Sequence, residues 1–143
     1  MRIVFVCVVC GLFSLSAWAE NIKPFKSDGC SLFPDGHLLA RDAWCNCCVE
    51  HDIAYWQGGT EAQKEQADIA LRDCVLQTTG NELLAEGMYR GVKYGGHPVF
   101  PNWYRWGYGW PYGRGFKALD TNEQHQVSTQ LRFIDHSCPD WLE

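Results

Sequence analysis

Cysteine usage constrains this chain more than any other feature of its sequence. Of the eight cysteines, Cys7 and Cys10 fall in an apolar stretch near the amino terminus. Six follow it: Cys30, Cys45, Cys47, Cys48, Cys74 and Cys138. An even set in an exported chain of this length reads as a disulfide framework formed in an oxidising compartment. Counting does not choose among the possible pairings. A zinc site made from Cys45, Cys47 or Cys48 with His51 is the competing reading, but it lacks the second, well-separated ligand pair of structural zinc sites. Three disulfides are therefore expected.

The amino-terminal stretch has the form of an export signal. Arg2 supplies a short positive region, an apolar run extends from Ile3 to about Leu15, and Ala17-Trp18-Ala19 gives a small-x-small cleavage pattern. The run is short for a membrane span, and no charge cluster follows to stop transfer. Position 20 is Glu20, not the cysteine a lipoprotein would need. Residues 1–19 are thus read as a signal peptide and residues 20–143 as one domain. The protein is expected to be exported, to the periplasm or to the medium. A domain this small buries a limited share of its surface, so covalent cross-links add materially to its stability. The formal net charge is −5, and loss of Arg2 makes it one unit more negative. That balance argues against nucleic acid, which selects a basic face. It also argues against nonspecific attraction to anionic headgroups, which leaves membrane contact to aromatic and apolar side chains.

Periodicity predicts a mainly helical domain with long irregular segments. Phe33-Pro34-Asp35-Gly36 carries turn chemistry. From Asp42 to about Trp56, Trp44, Cys48, His51 and Tyr55 share one helical face, and Gly58-Gly59 ends the run. Thr60 and Gln63 have capping-box spacing at the start of a second helix reaching about Leu76. Its inner stripe holds Lys64 or Ala67, then Asp68, Leu71 and Val75. The short connection implies that these two helices pack antiparallel. A third helical segment is expected from Asn81 to about Val92, and a fourth, with a box at Thr121 and Gln124, through about Ile134.

The chemistry-bearing residues converge on the first helix pair. Asp68 is a carboxylate among apolar neighbours and needs a hydrogen-bonding partner if buried. Across the pair it can accept from His51, which fixes the tautomer and leaves the other ring nitrogen free as a general base. Tyr55, one turn beyond His51, can donate to the same carboxylate. Asp52 points elsewhere, because adjacent helical residues differ by about 100° of rotation. With Asp28 and carbonyls of the 28–36 loop it offers oxygen ligands that suit calcium better than zinc. Such an ion would polarise an ester carbonyl and stabilise the oxyanion formed when activated water attacks. From these residues alone, a hydrolytic site and a purely structural arrangement remain level.

Cys47-Cys48-Val49-Glu50-His51-Asp52, followed by Tyr55, resembles the active-site helix of the secreted phospholipase A₂ family. The likeness extends over about Asp28 to Val75. It implies a disulfide-linked phospholipase A₂-like fold with two antiparallel core helices. By that resemblance His51 is the general base, Asp68 and Tyr55 orient it, and Asp52 is a calcium ligand. Asp28-Gly29-Cys30-Ser31 is similar to the bacterial version of the calcium loop, which implies ligands from the Asp28 side chain and the Gly29 carbonyl. The resemblance further implies Cys30–Cys48 and Cys47–Cys74 bridges, leaving Cys45 to Cys138. The implied activity is calcium-dependent hydrolysis of a phospholipid acyl ester, at the sn-2 position, by a monomer at a membrane surface. Departures are the missing glycine-rich calcium loop of the animal enzymes, Ala54 where a third cysteine is usual, and no counterpart beyond Val75.

Residues 94–116 hold nine aromatics, six glycines and three prolines without helical or strand period. Trp and Tyr favour the lipid headgroup zone, so the segment can border the mouth of the site and seat it on a bilayer or line an acyl slot. It can equally fold back over the helix pair as core, which avoids exposing so many aromatics. Two further functions stay open: a non-catalytic lipid-binding or toxin-like module on the same scaffold, and a disulfide-stabilised envelope protein binding a protein partner or glycan.

Overall fold

A computed structural model describes residues 21–37, 40 and 43–139, so the signal peptide expected over residues 1–19 lies outside the described residues. The described chain is mainly helical, with four helices and one isolated β-bridge between His37 and Ala40. None of those helices is long and apolar enough to cross a membrane.

Helix α1 (Cys45–Gln57) buries residues on nearly every side, including Cys45, Val49, His51, Ile53 and Trp56. A helix buried all round belongs at the centre of a fold. Its first turn sends three cysteines in three directions: Cys48 to Cys30 in the preceding loop, Cys47 to Cys74 on the second helix, and Cys45 to Cys138 near the carboxyl terminus. The Cα atoms stand 4.9, 5.7 and 5.9 Å apart, respectively. In the chain-entropy account a loop the size of the Cys30–Cys48 one contributes about 3 kcal/mol. The helix starts at Cys45, later than the periodicity suggested, because Trp44 keeps a φ of −126° and bonds its N–H to the Asp35 carbonyl at 3.0 Å. Turn geometry before it also differs. The closing backbone bond runs from Phe33 N–H to Cys30 at 3.1 Å, and Asp35 reaches back to the Cys30 N–H at 2.6 Å.

Helix α2 (Glu61–Thr79) opens on the expected capping box of Thr60 and Gln63. Its buried residues are Lys64, Asp68, Leu71 and Val75, so Lys64 and not Ala67 occupies the inner stripe. Contacts along α1 and α2 run in opposite order, from Cys47–Cys74 through His51–Asp68 to Tyr55–Lys64. The pair is therefore antiparallel. Helix α3 (Glu82–Gly95), capped by Asn81, packs on α2 and adds Ala85 and Met88 to a core with Trp44, Leu71 and Val75.

Helix α4 (Thr121–Leu131) starts from a box one residue earlier than the Thr121–Gln124 spacing suggested, formed by Asp120 and Glu123. The cause is tertiary. Glu123 is also gripped by Arg114 and Lys117, which hold it over the helix start and leave Gln124 outside.

The aromatic segment covers the carboxyl end of α1. Helix ends leave their last carbonyls without intrahelical partners. Gly107 N–H donates to the Tyr55 carbonyl at 2.7 Å, Gly109 N–H to Trp56 at 3.2 Å, and the Trp110 indole to Gln57 at 2.7 Å. Trp106 and Trp110 are buried, whereas Trp103 and Tyr112 stay exposed. Folding back as core thus describes part of the segment only. Gly109 lies so close to Trp56 that a Cβ would meet the ring and the backbone carbonyl within 2.7 Å. Gly109→Ala should therefore lower stability by about 1–3 kcal/mol in urea unfolding. Gly87→Ala, on an exposed helix position open on all sides, should raise it by about 0.5–1 kcal/mol.

Candidate active site

Asp68 is 0% exposed, and an unpartnered carboxylate there would be very costly. Its Oδ1 lies 3.1 Å from His51 Nε2 and accepts from the Tyr55 hydroxyl at 2.7 Å. Its Oδ2 accepts from Lys64 Nζ at 2.7 Å. Burial pushes the Asp68 carboxyl up, but the bonds from His51, Lys64 and Tyr55 and the Lys64 charge outweigh it and hold the group below the usual carboxylate range. His51, 8% exposed, moves down as well, chiefly because burial penalises its charged form. A neutral imidazole facing an ionised carboxylate must donate, so the proton sits on Nε2. Nδ1 then carries a lone pair and accepts nothing among the described residues, and His51 lines a cleft.

Asp52 projects to the loop side of α1, as its helical angle requires. Ser27 Oγ donates to its Oδ2 at 2.6 Å. Burial pushes the Asp52 carboxyl up to about 7, and repulsion from Asp28 and Asp35 adds to this against the Ser27 bond. Gly29, at φ 72°, lines the same cleft, with the Asp35 carboxylate packed where a Cβ would stand. Asp28 Oδ1 accepts from Ser31 Oγ at 2.9 Å, and its Oδ2 accepts from the Trp103 indole at 3.2 Å. Among the described residues no three side chains of the His, Cys, Asp and Glu types gather closely enough to enclose a metal by themselves. A hard cation would draw on Asp52, Asp28 and carbonyls such as that of Gly29. The donor set fits, since it is all oxygen and carries mutually repelling negative charge that a cation would relieve.

The cleft encloses about 270 Å³. His51 and Asp52 are its polar floor, Leu71, Met88 and Val92 supply apolar wall, and Leu32, Phe33 and Tyr104 stand along its lining. Along α3, Gly87, Gly91 and Gly95 line it without side chains, which keeps that wall open. Leu32, Phe33 and Trp103 are exposed large apolar groups, and Trp103 is tied to Asp28 of the loop.

The fold therefore brings His51, Asp68 and Tyr55 into one hydrogen-bonded cluster and sets Asp52 and Gly29 on the same cleft, with the Asp28 carboxylate acting on Asp52. Three contributors were not singled out from sequence. Ser27 carries no motif that would mark it. Asp35 looked like a turn residue. Lys64 shared its place in the stripe with Ala67, although its spacing four residues before Asp68 is a helical ion-pair signal. No protein-family model matches the chain, and no curated protein or solved structure is found to be similar to it. Tyr55→Phe keeps the ring but removes a donor to a buried charge. It should cost about 1.5–3 kcal/mol of unfolding free energy at neutral pH.

Proposed function

We propose that this protein hydrolyses a fatty-acyl ester of a phospholipid with the help of calcium, on a phospholipase A₂-like fold. The observation that carries this reading is the buried His51–Asp68–Tyr55 cluster, whose histidine lines a largely apolar cleft together with Asp52.

His51 Nδ1 takes a proton from a water in the cleft as that water attacks the ester carbonyl. The proton gained makes an imidazolium, whose charge Asp68, already bonded to Nε2, offsets, and that proton then passes to the alkoxide oxygen that departs as the acyl C–O bond breaks. Tyr55 holds the carboxylate so that Oδ1 stays towards the ring. Calcium, held by Asp52, Asp28 and the Gly29 carbonyl, would supply positive charge where the ester oxygen becomes anionic. The apolar walls accept an acyl chain and exclude bulk water from the attacking geometry. Exposed Leu32, Phe33 and Trp103 give a negatively charged protein the apolar means to rest on a phospholipid surface.

Mixed phospholipid vesicles labelled in the sn-2 acyl chain test the activity. Labelled fatty acid should be released with calcium, not with chelator, and His51→Asn should reduce release by about a hundredfold or more. Calcium binding without release from any headgroup would replace the enzyme with a non-catalytic lipid-binding module.

The elevated Asp52 carboxyl makes calcium binding a proton-linked event. Below about 7 the calcium-free Asp52 is protonated, whereas the ion requires the carboxylate. Affinity should fall as pH drops through that value, and each ion bound there should displace up to about one proton. Calorimetry in buffers of different ionisation enthalpy would show the release below pH 7. The release should fade well above pH 7 and disappear in Asp52→Asn.

A further inference from the structure

Lys64 is 5% exposed, and the proposed reaction gives it no step. Its ammonium has three N–H donors and three acceptors around it: Asp68 Oδ2 at 2.7 Å, the Val92 carbonyl at 3.2 Å and the Lys93 carbonyl at 3.2 Å. It also lies 5.3 Å from the centre of the Tyr55 ring. Asp68 belongs to α2, whereas Val92 and Lys93 belong to the last turn of α3, where a cation is favoured; the Val92 carbonyl also accepts from the Gly96 N–H at 2.9 Å and the Tyr55 hydroxyl at 3.1 Å. Stability alone is a poor reason for such a group, because apolar residues of similar volume often serve a buried position as well as an ion pair.

What Lys64 does that an apolar residue cannot is immobilise one oxygen of Asp68. With Oδ2 held, the carboxylate cannot turn about its own bond, and Oδ1 remains directed at His51 Nε2 and the Tyr55 hydroxyl. The contribution is one of direction and not of charge, since a cation beside Asp68 disfavours a second positive charge on His51. The same ammonium secures the end of α3, whose Val92 forms part of the cleft wall. We propose that Lys64 is a positioning residue, which fixes the Asp68 carboxylate so that His51 holds one tautomer. The proposal rests on the reading of His51 as general base.

The test uses the full protein with calcium, labelled with ¹⁵N at histidine. In the unaltered protein the His51 ring nitrogens should report a single Nε2–H tautomer, and the Lys64 ammonium protons should exchange slowly with water. Lys64→Gln shortens the donor and removes the charge. The variant should show both tautomers of His51 and a kcat reduced about 10- to 100-fold, with KM and calcium affinity near the unaltered values. Lys64→Met serves as a second variant with the same expected results should the first not fold. A folded variant that keeps one tautomer and full kcat overturns the proposal. So does a freely exchanging ammonium in the unaltered protein, a result that needs no variant. If the unaltered protein releases no fatty acid, the functional reading fails, and Lys64 stands or falls on the tautomer comparison.

Discussion

A single buried carboxylate organises this molecule. Asp68 has no exposure to water, so every lone pair it directs into the interior must meet a donor. The donors come from two helices, His51 and Tyr55 on α1 and Lys64 on α2 itself. Satisfying them fixes the register of α1 against α2, because a slide of one residue would turn His51 and Tyr55 away by about 100°. Lys64 and Tyr55 also reach the Val92 carbonyl, which ties the end of α3 to the same point. The Tyr55 hydroxyl and the Lys64 ammonium each therefore touch both the carboxylate and α3, whereas His51 touches the carboxylate alone.

Disulfides act on the same frame from outside. Cys45, Cys47 and Cys48 anchor α1 to the carboxyl-terminal segment, to α2 and to the preceding loop. A domain this small gains more from cross-links than a larger one, since its core is limited. Here they also free the core from being wholly apolar. His51, Asp52, Lys64 and Asp68 all lie in the interior, in a framework whose unfolded state is already restricted by three bridges. The aromatic segment completes the enclosure at the other end of α1, where indole and backbone N–H groups take the exposed carbonyls.

Burial has opposite consequences on adjacent residues. It drives His51 towards its neutral form and Asp52 towards its protonated form, because in each case the charged species is the one that loses solvation. For the imidazole it leaves an uncharged ring with a lone pair on Nδ1. For the carboxylate it leaves a group that is protonated below about 7, and repulsion from Asp28 and Asp35 adds to that shift. The His51 side of α1 is complete within the protein, whereas the Asp52 side has donors for Asp52 only from Ser27 among the described residues.

Much of this was legible in the sequence, because it depends on short-range rules. Cysteine parity needs only a count, and the period of α1, the Thr60–Gln63 box and the inner place of Asp68 each follow from residues a few positions apart. The likeness around His51 also drew Asp28, Gly29 and Tyr55 into one picture. Other features depended on side-chain placements that no local period encodes, some near in the chain and some distant. Glu123 caps α4 because Arg114 and Lys117 seize it, Asp35 leaves its turn to face the loop it closes, and Ser27 meets Asp52 after a separation of 25 residues. Residues 94–116 have no period at all, so only packing against the carbonyls of α1 divides their buried tryptophans from their exposed ones. Sequence determined which residues could form the cluster. The choice of Lys64 over Ala67 as its fourth member was tertiary, since the end of α3 supplies the carbonyls that a buried ammonium requires.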